Sequence, residues 1–223
     1  MSTIAERLTA IRAGLPAGVE LVAVSKFHPV EALAEAYEAG QRIFGESRVQ
    51  ELCAKIGALP ADIQWHFIGH LQTNKVRQLV STGRVALIES VDSERLLRAI
   101  DAESKRAGVV SRVLMQVHVA REETKFGFTP AELEDFFARG AFRSLEATHL
   151  CGVMGMASNT DDEARIAADF EAIAEARRRA LGLAPDLRGF DIVSMGMSHD
   201  YPAAIAAGST HVRIGTAIFG DRI

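Results

Sequence analysis

His211-Val212-Arg213-Ile214-Gly215-Thr216 is the last of eight short apolar runs in this chain, and the count it completes decides the fold. A β-branched run that ends on glycine reads as a buried strand entering a turn. Working back from it, strands are predicted at 190–194, 146–154, 112–119, 85–89, 64–68, 42–45 and 21–25. Between them, amphipathic stretches predict helices at 30–39, 48–56, 73–81, 93–106, 130–139, 161–181 and 201–207. Pro29 and Pro130 stand near first turns, and Asp92-Ser93 and Asn159-Thr160-Asp161 supply caps. Gly40, Gly108, Gly140 and Gly208 fall where helices should stop.

Regular alternation of strand and helix argues for a parallel sheet covered by helices. Eight such strands in about 200 residues predict a closed α/β (β/α)8 barrel, with a doubly wound open sheet as the rival. The barrel is expected to occupy 1–223 as a single domain. The run at 211–214 lies close to the end of the chain, while Ile4, Leu8, Ile11 and Leu15 form a helical apolar stripe. This extra N-terminal helix is expected to cover the barrel where a full closing helix is missing.

The composition suits that reading. Of 223 residues 48% are hydrophobic and 24% charged, enough for a substantial core, and the net charge of −4 gives no general attraction to nucleic acid or anionic membranes. Cys53 and Cys151 sit in apolar contexts without metal-ligand spacing and are expected to be reduced. No apolar run approaches the ~18 residues of a membrane span. Glu6, Arg7 and Arg12 interrupt any signal-peptide core, so the expected location is the cytoplasm.

The unusual residues cluster after the strands. Ser25-Lys26 follows the first, Gly45-Glu46-Ser47-Arg48 the second and Gly69-His70-Leu71-Gln72 the third. Met154-Gly155-Met156, Met195-Gly196-Met197-Ser198 and Gly215-Thr216 follow the sixth, seventh and eighth. In a (β/α)8 barrel these ends share the face that carries chemistry. Lys26 closes a β-branched strand, where a lysine is costly unless its amine has a job; imine formation with an aldehyde or ketone is the job it does best. Ser198, Gly215 and Thr216 supply hydroxyls and closely approachable backbone where such barrels commonly hold phosphate. An imine-forming lysine facing a phosphate cradle suggests a phosphorylated aldehyde, and pyridoxal 5'-phosphate fits both halves. Arg213, which donates only, would then favour an unprotonated pyridine nitrogen and so a weak electron sink.

Ala23-Val24-Ser25-Lys26, Phe44-Gly45-Glu46, Trp65-His66-Phe67-Ile68-Gly69-His70-Leu71-Gln72-Thr73-Asn74-Lys75, Ser194-Met195-Gly196-Met197-Ser198 and Val212-Arg213-Ile214-Gly215-Thr216 resemble the YggS/PROSC family of pyridoxal phosphate homeostasis proteins. The resemblance runs from about Leu21 to Gly220. It implies a barrel like the N-terminal domain of alanine racemase, usually monomeric, with a Schiff base on Lys26. It also implies phosphate around Ser198, Gly215 and Thr216, Arg213 near the ring nitrogen, and cofactor buffering or delivery, with apoenzymes as transient partners, rather than turnover. Two positions depart from the family pattern. Ser47 stands where an asparagine is usual, leaving a shorter cofactor contact, and His199 replaces an acidic residue, placing a titrating group beside the phosphate.

Each of these residues has a plainer reading. Lys26 alone is a strand-end lysine, and Arg213 alone an ion-pair partner for Glu46 or Glu89. His66 and His70 stand four apart, but on a strand and beyond its end they are not expected to share a metal; His66 is expected to be a satisfied interior histidine. The Met-Gly-Met pairs are read as lining around a ring rather than packing. Lys125 is read as an exposed loop lysine, with a second anion contact as the alternative. A racemase of this barrel type would need a further β domain and a tyrosine base, for which only Tyr37 and Tyr201 are available. A Schiff-base aldolase would place its lysine on the sixth strand.

Overall fold

The first and last strands pair with each other, and that pairing closes the sheet. In the computed structural model, which describes residues 2–120 and 126–220, the strands are β1 (Glu20–Val24), β2 (Ile43–Glu46), β3 (Gln64–Phe67), β4 (Val85–Val91), β5 (Ser111–Val117), β6 (Thr148–Gly155), β7 (Ile192–Ser194) and β8 (His211–Ile214). They form a closed parallel barrel in chain order. Val22 stands opposite Arg213 and Ala23 opposite Ile214 across the β1–β8 seam, so the open-sheet rival is excluded.

The helices are α1 (Ile4–Ala13), α2 (Val30–Glu38), α3 (Val49–Ala58), α4 (Val76–Val80), α5 (Glu94–Ala107), α6 (Pro130–Ala138), α7 (Glu163–Leu183), α8 (Tyr201–Ala206) and a four-residue α9 (Thr216–Phe219). The sequence prediction at 73–81 resolves into a 3-10 turn, Thr73–Lys75, followed by α4. Thr3 and Glu6 form a reciprocal capping box that starts α1, and Ile4 and Leu8 are its buried face. α1 packs against α2 and α9, and the Arg7 side chain donates to the Ile218 carbonyl in α9. The leading helix thus packs between α2 and α9 on the face that its apolar stripe predicts.

Strands covered on both faces explain the continuous apolar runs. Phe44, Trp65, Phe67, Phe136, Phe137, Phe170 and Phe190 are fully buried, each contributing about 1.5–3 kcal/mol on transfer from water. A second, smaller cluster of Leu87, Leu114, Cys151 and Met154, flanked by Ile192, is separate from that layer. Gly152 has φ +149°, and a Cβ there would sit 1.9 Å from the Ile192 carbonyl oxygen, so only glycine lets β6 and β7 approach. Among the described residues no helix is long and apolar enough to cross a membrane.

Candidate active-face cavity

Six strand ends converge on a cavity of about 280 Å³. Lys26, Ser47, Ser198, Arg213, Gly215 and Thr216, the six residues singled out from sequence, all line it. Val24, Ile68, Met156 and Met197 supply apolar wall, and no described lining residue is a carboxylate. The Met-Gly-Met pairs divide their work: Met156 and Met197 face the cavity, whereas Met154 and Met195 are buried in packing. Packing and lining are therefore both correct, one for each methionine of a pair. His199 reaches the cavity rim, with Nε2 3.6 Å from Asp200. Lys125 lies outside the described residues.

Lys26 leaves the barrel on a tight turn. Phe27, next in sequence, has φ +68° and is the non-glycine residue with positive φ among those described. For a bulky side chain that conformation costs about 1–3 kcal/mol and must be held by its surroundings. The Phe27 N–H donates to Glu51 Oε1 at 2.7 Å, His28 N–H donates to the Ser25 carbonyl at 3.1 Å, and the Arg48 guanidinium lies 4.8 Å from the Phe27 ring centre. The His28 ring stacks on Phe219 of α9 at 4.9 Å, tying the lysine turn to the end of the chain.

Arg213 is set by a buried network. Its Nη1 donates to the Ser194 carbonyl at 2.8 Å and to Ser194 Oγ at 2.7 Å, and its Nη2 to the Gly155 carbonyl at 2.9 Å. Ser194 Oγ in turn donates to Glu89 Oε2 at 2.6 Å. Glu89 Oε1 is 2.6 Å from His66 Nδ1, and Glu89 Oε2 is 3.7 Å from Arg213 Nη1. Burial alone would raise the Glu89 carboxyl, but the His66 hydrogen bond and charge, Arg213 and Ser194 together bring it down to about 2. His211 stacks beside His66 with centroids 6.1 Å apart; burial pushes it down to about 4, the Glu89 charge opposing. Of the two sequence candidates, Glu89 is the ion-pair partner of Arg213, while Glu46 pairs with Lys55 at 2.7 Å. Arg213 is both a structural partner and a cavity residue. His66 is the satisfied interior histidine expected, while His70 pairs with Asp92 at 3.0 Å and stacks on Phe126 at 3.9 Å.

The opposite end of the cavity is built from two turns. Gly196 has φ +94°, and the Met197 N–H donates to buried Asp200 at 2.5 Å, which fixes the bend carrying Ser198. After β8, the Ile218 and Phe219 N–H groups return to the Gly215 carbonyl. A Cβ on Gly215 would stand 3.2 Å from the Val24 carbonyl oxygen, so the smallest residue keeps this wall close to β1.

Sequence reasoning missed Ser194 and Lys55. Ser194 is the last residue of β7 and reads as strand. Lys55 forms an i,i+4 pair with Glu51, the usual signature of a solvated helix face, yet its side chain is 5% exposed. Period alone offers one signal for Lys55: it lies three residues after Leu52, on the apolar stripe that buries Val49 and Leu52.

The profile of the family described as the alanine racemase N-terminal domain matches residues 1–223. The pyridoxal phosphate homeostasis protein of Schizosaccharomyces pombe is 38% identical over 231 aligned residues, covering 100% of this chain and 94% of that protein. Its counterpart in Aquifex aeolicus is 38% identical, over 91% of this chain and 87% of that protein. This chain belongs to the pyridoxal phosphate homeostasis protein family. Among solved structures, PipY of Synechococcus elongatus with PLP bound superposes with a TM-score of 0.89 at 38% identity, over 98% of this chain and 100% of that one. The alanine racemase of Streptomyces coelicolor shares the fold, with a TM-score of 0.80 at 21% identity; this chain spans 57% of its length.

Proposed function

We propose that this member of the family binds pyridoxal 5'-phosphate reversibly through a Schiff base on Lys26 and buffers or delivers the cofactor without catalytic turnover. One observation carries the reading: an amine, a guanidinium and three hydroxyls line one small cavity with apolar walls and no carboxylate among the described residues. That donor set fits an anionic, aromatic aldehyde. Ser198, Gly215 and Thr216 would hold the phosphate, with Ser47 a further polar contact on the β2 side. Val24, Ile68, Met156 and Met197 would flank the ring and exclude water from it. When bound, the cofactor supplies the carbonyl with which the Lys26 amine condenses.

Arg213 would restrain the cofactor's chemistry. Its bonds to Ser194 and Gly155 fix the guanidinium in place. A group that only donates and keeps its proton leaves a facing ring nitrogen unprotonated, which restrains carbanion chemistry. The homeostasis names of the relatives support the carrier reading, and the PLP carried by PipY supports cofactor binding. The reading includes a monomer in the cytoplasm whose partners are the cofactor itself and, transiently, apoenzymes.

The test is an absorption spectrum before and after borohydride, followed by peptide mapping. A yellow protein whose reduced pyridoxyl adduct maps to Lys26 is expected, together with no exchange of amino-acid α-protons for deuterium in heavy water. A protein that neither carries nor takes up the cofactor would overturn the binding reading. Sustained α-proton exchange would overturn the carrier reading alone.

A further inference from the structure

A buried ionic cluster lies directly behind the lysine turn. Lys55, on the inner face of α3, donates from Nζ to the Ser25 carbonyl at 2.8 Å, to Glu46 Oε1 at 2.7 Å and to Glu51 Oε1 at 2.7 Å. An ammonium has three donors, and all three are engaged. Ser25 Oγ also donates to Glu46 Oε1 at 2.6 Å, and Glu51 Oε1 accepts the Phe27 N–H at 2.7 Å. The residues on either side of Lys26 are therefore gripped by one cluster, Ser25 through its carbonyl and hydroxyl, Phe27 through its N–H. Neither Lys55, Glu46 nor Glu51 lines the cavity.

Such a cluster is an expensive way to gain stability, because removing charges from water costs about what their attraction returns. Glu46 shows the cost, with its second carboxylate oxygen buried and lacking a hydrogen-bond partner. Burial raises the Glu46 carboxyl, and the Lys55 and Ser25 hydrogen bonds pull the other way. What the cluster achieves geometrically is specific: it ties the β1 turn to β2 and α3 and sustains the left-handed Phe27. The direction in which Lys26 leaves β1 follows from that backbone.

We propose that Lys55 is a positioning residue for Lys26: by holding Ser25 directly and Phe27 through Glu51, it aims the Lys26 amine into the cavity. The proposal rests on the reading of Lys26 as the attachment point. It also accounts for which of two neighbouring lysines reacts. Lys55 is fully engaged and outside the cavity, whereas Lys26 lines it.

The test separates capture of the aldehyde from binding of the rest of the ligand. The apoprotein is mixed with pyridoxal 5'-phosphate and the rate of absorbance change is followed, with borohydride trapping and mapping of the adduct. Affinity for 4'-deoxypyridoxine 5'-phosphate, which lacks the aldehyde, is measured alongside. In Lys55→Met the capture rate is expected to fall on the order of tenfold to a hundredfold, the scale on which a misplaced reacting group slows a reaction, while analogue affinity stays within about twofold. Glu51→Leu, at a site 20% exposed, releases only the Phe27 N–H and one of the three ammonium contacts. With the ammonium's contacts to Ser25 and Glu46 retained, it should give the same split, smaller in size, and decides the matter should Lys55→Met fail to fold.

Unchanged capture in a folded variant, or capture and analogue affinity falling together, would overturn the proposal. If the adduct of the parent protein maps elsewhere than Lys26, the attachment reading falls and this proposal with it. An adduct on Lys26 with unaltered capture in the variants overturns the positioning role only.

Discussion

Replacing Glu89 by glutamine removes one charge from the barrel interior without changing side-chain volume, and the structure sets the size of the effect. Glu89 is fully buried, bonded to His66 and Ser194 and 3.7 Å from a guanidinium that is 4% exposed. Breaking a buried pair by removing one partner costs about 3–5 kcal/mol. An independent route gives a similar figure: the fall of the Glu89 carboxyl from 4.5 to about 2 corresponds to about 3 kcal/mol, at about 1.4 kcal/mol per tenfold change. The sign follows from the direction of the shift. A carboxylate depressed on folding contributes fully above its unfolded value of 4.5 and loses that contribution as pH falls toward about 2. Glu89→Gln should therefore be less stable by about 3 kcal/mol at pH 7 in urea unfolding, with a melting point roughly 6–12 °C lower for a chain of this size. The gap between the two proteins should begin to close below about pH 4.5 and stand below half its neutral value near pH 3. A difference under about 1 kcal/mol at neutral pH, or a gap that stays constant down to pH 3, would refute the reasoning.

Other perturbations test the cavity from different sides. In Gly69→Ala the new Cβ would lie 2.2 Å from the Ser47 carbonyl oxygen and 2.6 Å from its Cα, so the Ser47 backbone must move; a loss of about 1–3 kcal/mol and weaker cofactor retention are expected, and unchanged retention by spectral titration would count against Ser47 as a contact. Ser47→Asn adds an amide at the cavity wall and should strengthen retention about fivefold, the worth of one hydrogen bond of about 1 kcal/mol; equal or faster release in a stopped-flow chase would show otherwise. Cys151 is buried and Cys53 partly so, and burial pushes the Cys53 thiol up, with the Gln78 hydrogen bond opposing. Ellman's reagent should therefore label Cys53 slowly in the native protein and Cys151 only in urea. Rapid native labelling of both would contradict the packing around β6.

The barrel was legible because each strand is covered on both faces, which writes it as an apolar run at regular intervals. Strand ends were less so. The prediction for β6 begins at 146, but the Glu146 and Ala147 N–H groups donate to the Asp101 carboxylate, and the strand starts at Thr148. The prediction for β4 stops at 89, whereas the strand continues to Val91, because Glu89 is an interior residue rather than a strand-end charge. The cavity residues were legible by position: Lys26, Ser198, Gly215 and Thr216 are polar or small residues within four positions of a strand's C-terminal end. Their supports were only partly so. Glu89 was one of two candidate partners for Arg213, but the two meet across the barrel from strands that are not neighbours in the sheet, and sequence spacing does not choose Glu89 over Glu46. The Glu51–Lys55 spacing is the same whether a helix face meets water or a strand end; only the packing of α3 decides.

The short α9 begins at the cavity wall, with Gly215 before its first residue. Its Ile218 carbonyl is held by Arg7 of the first helix, and Phe219 rests on His28. A small molecule seated on Gly215 and Thr216 would act as a clasp joining α1 and α9 to the lysine turn. Loosening of α1 or α9 would loosen the seat, and by the same linkage an occupied seat would slow amide hydrogen exchange in both helices.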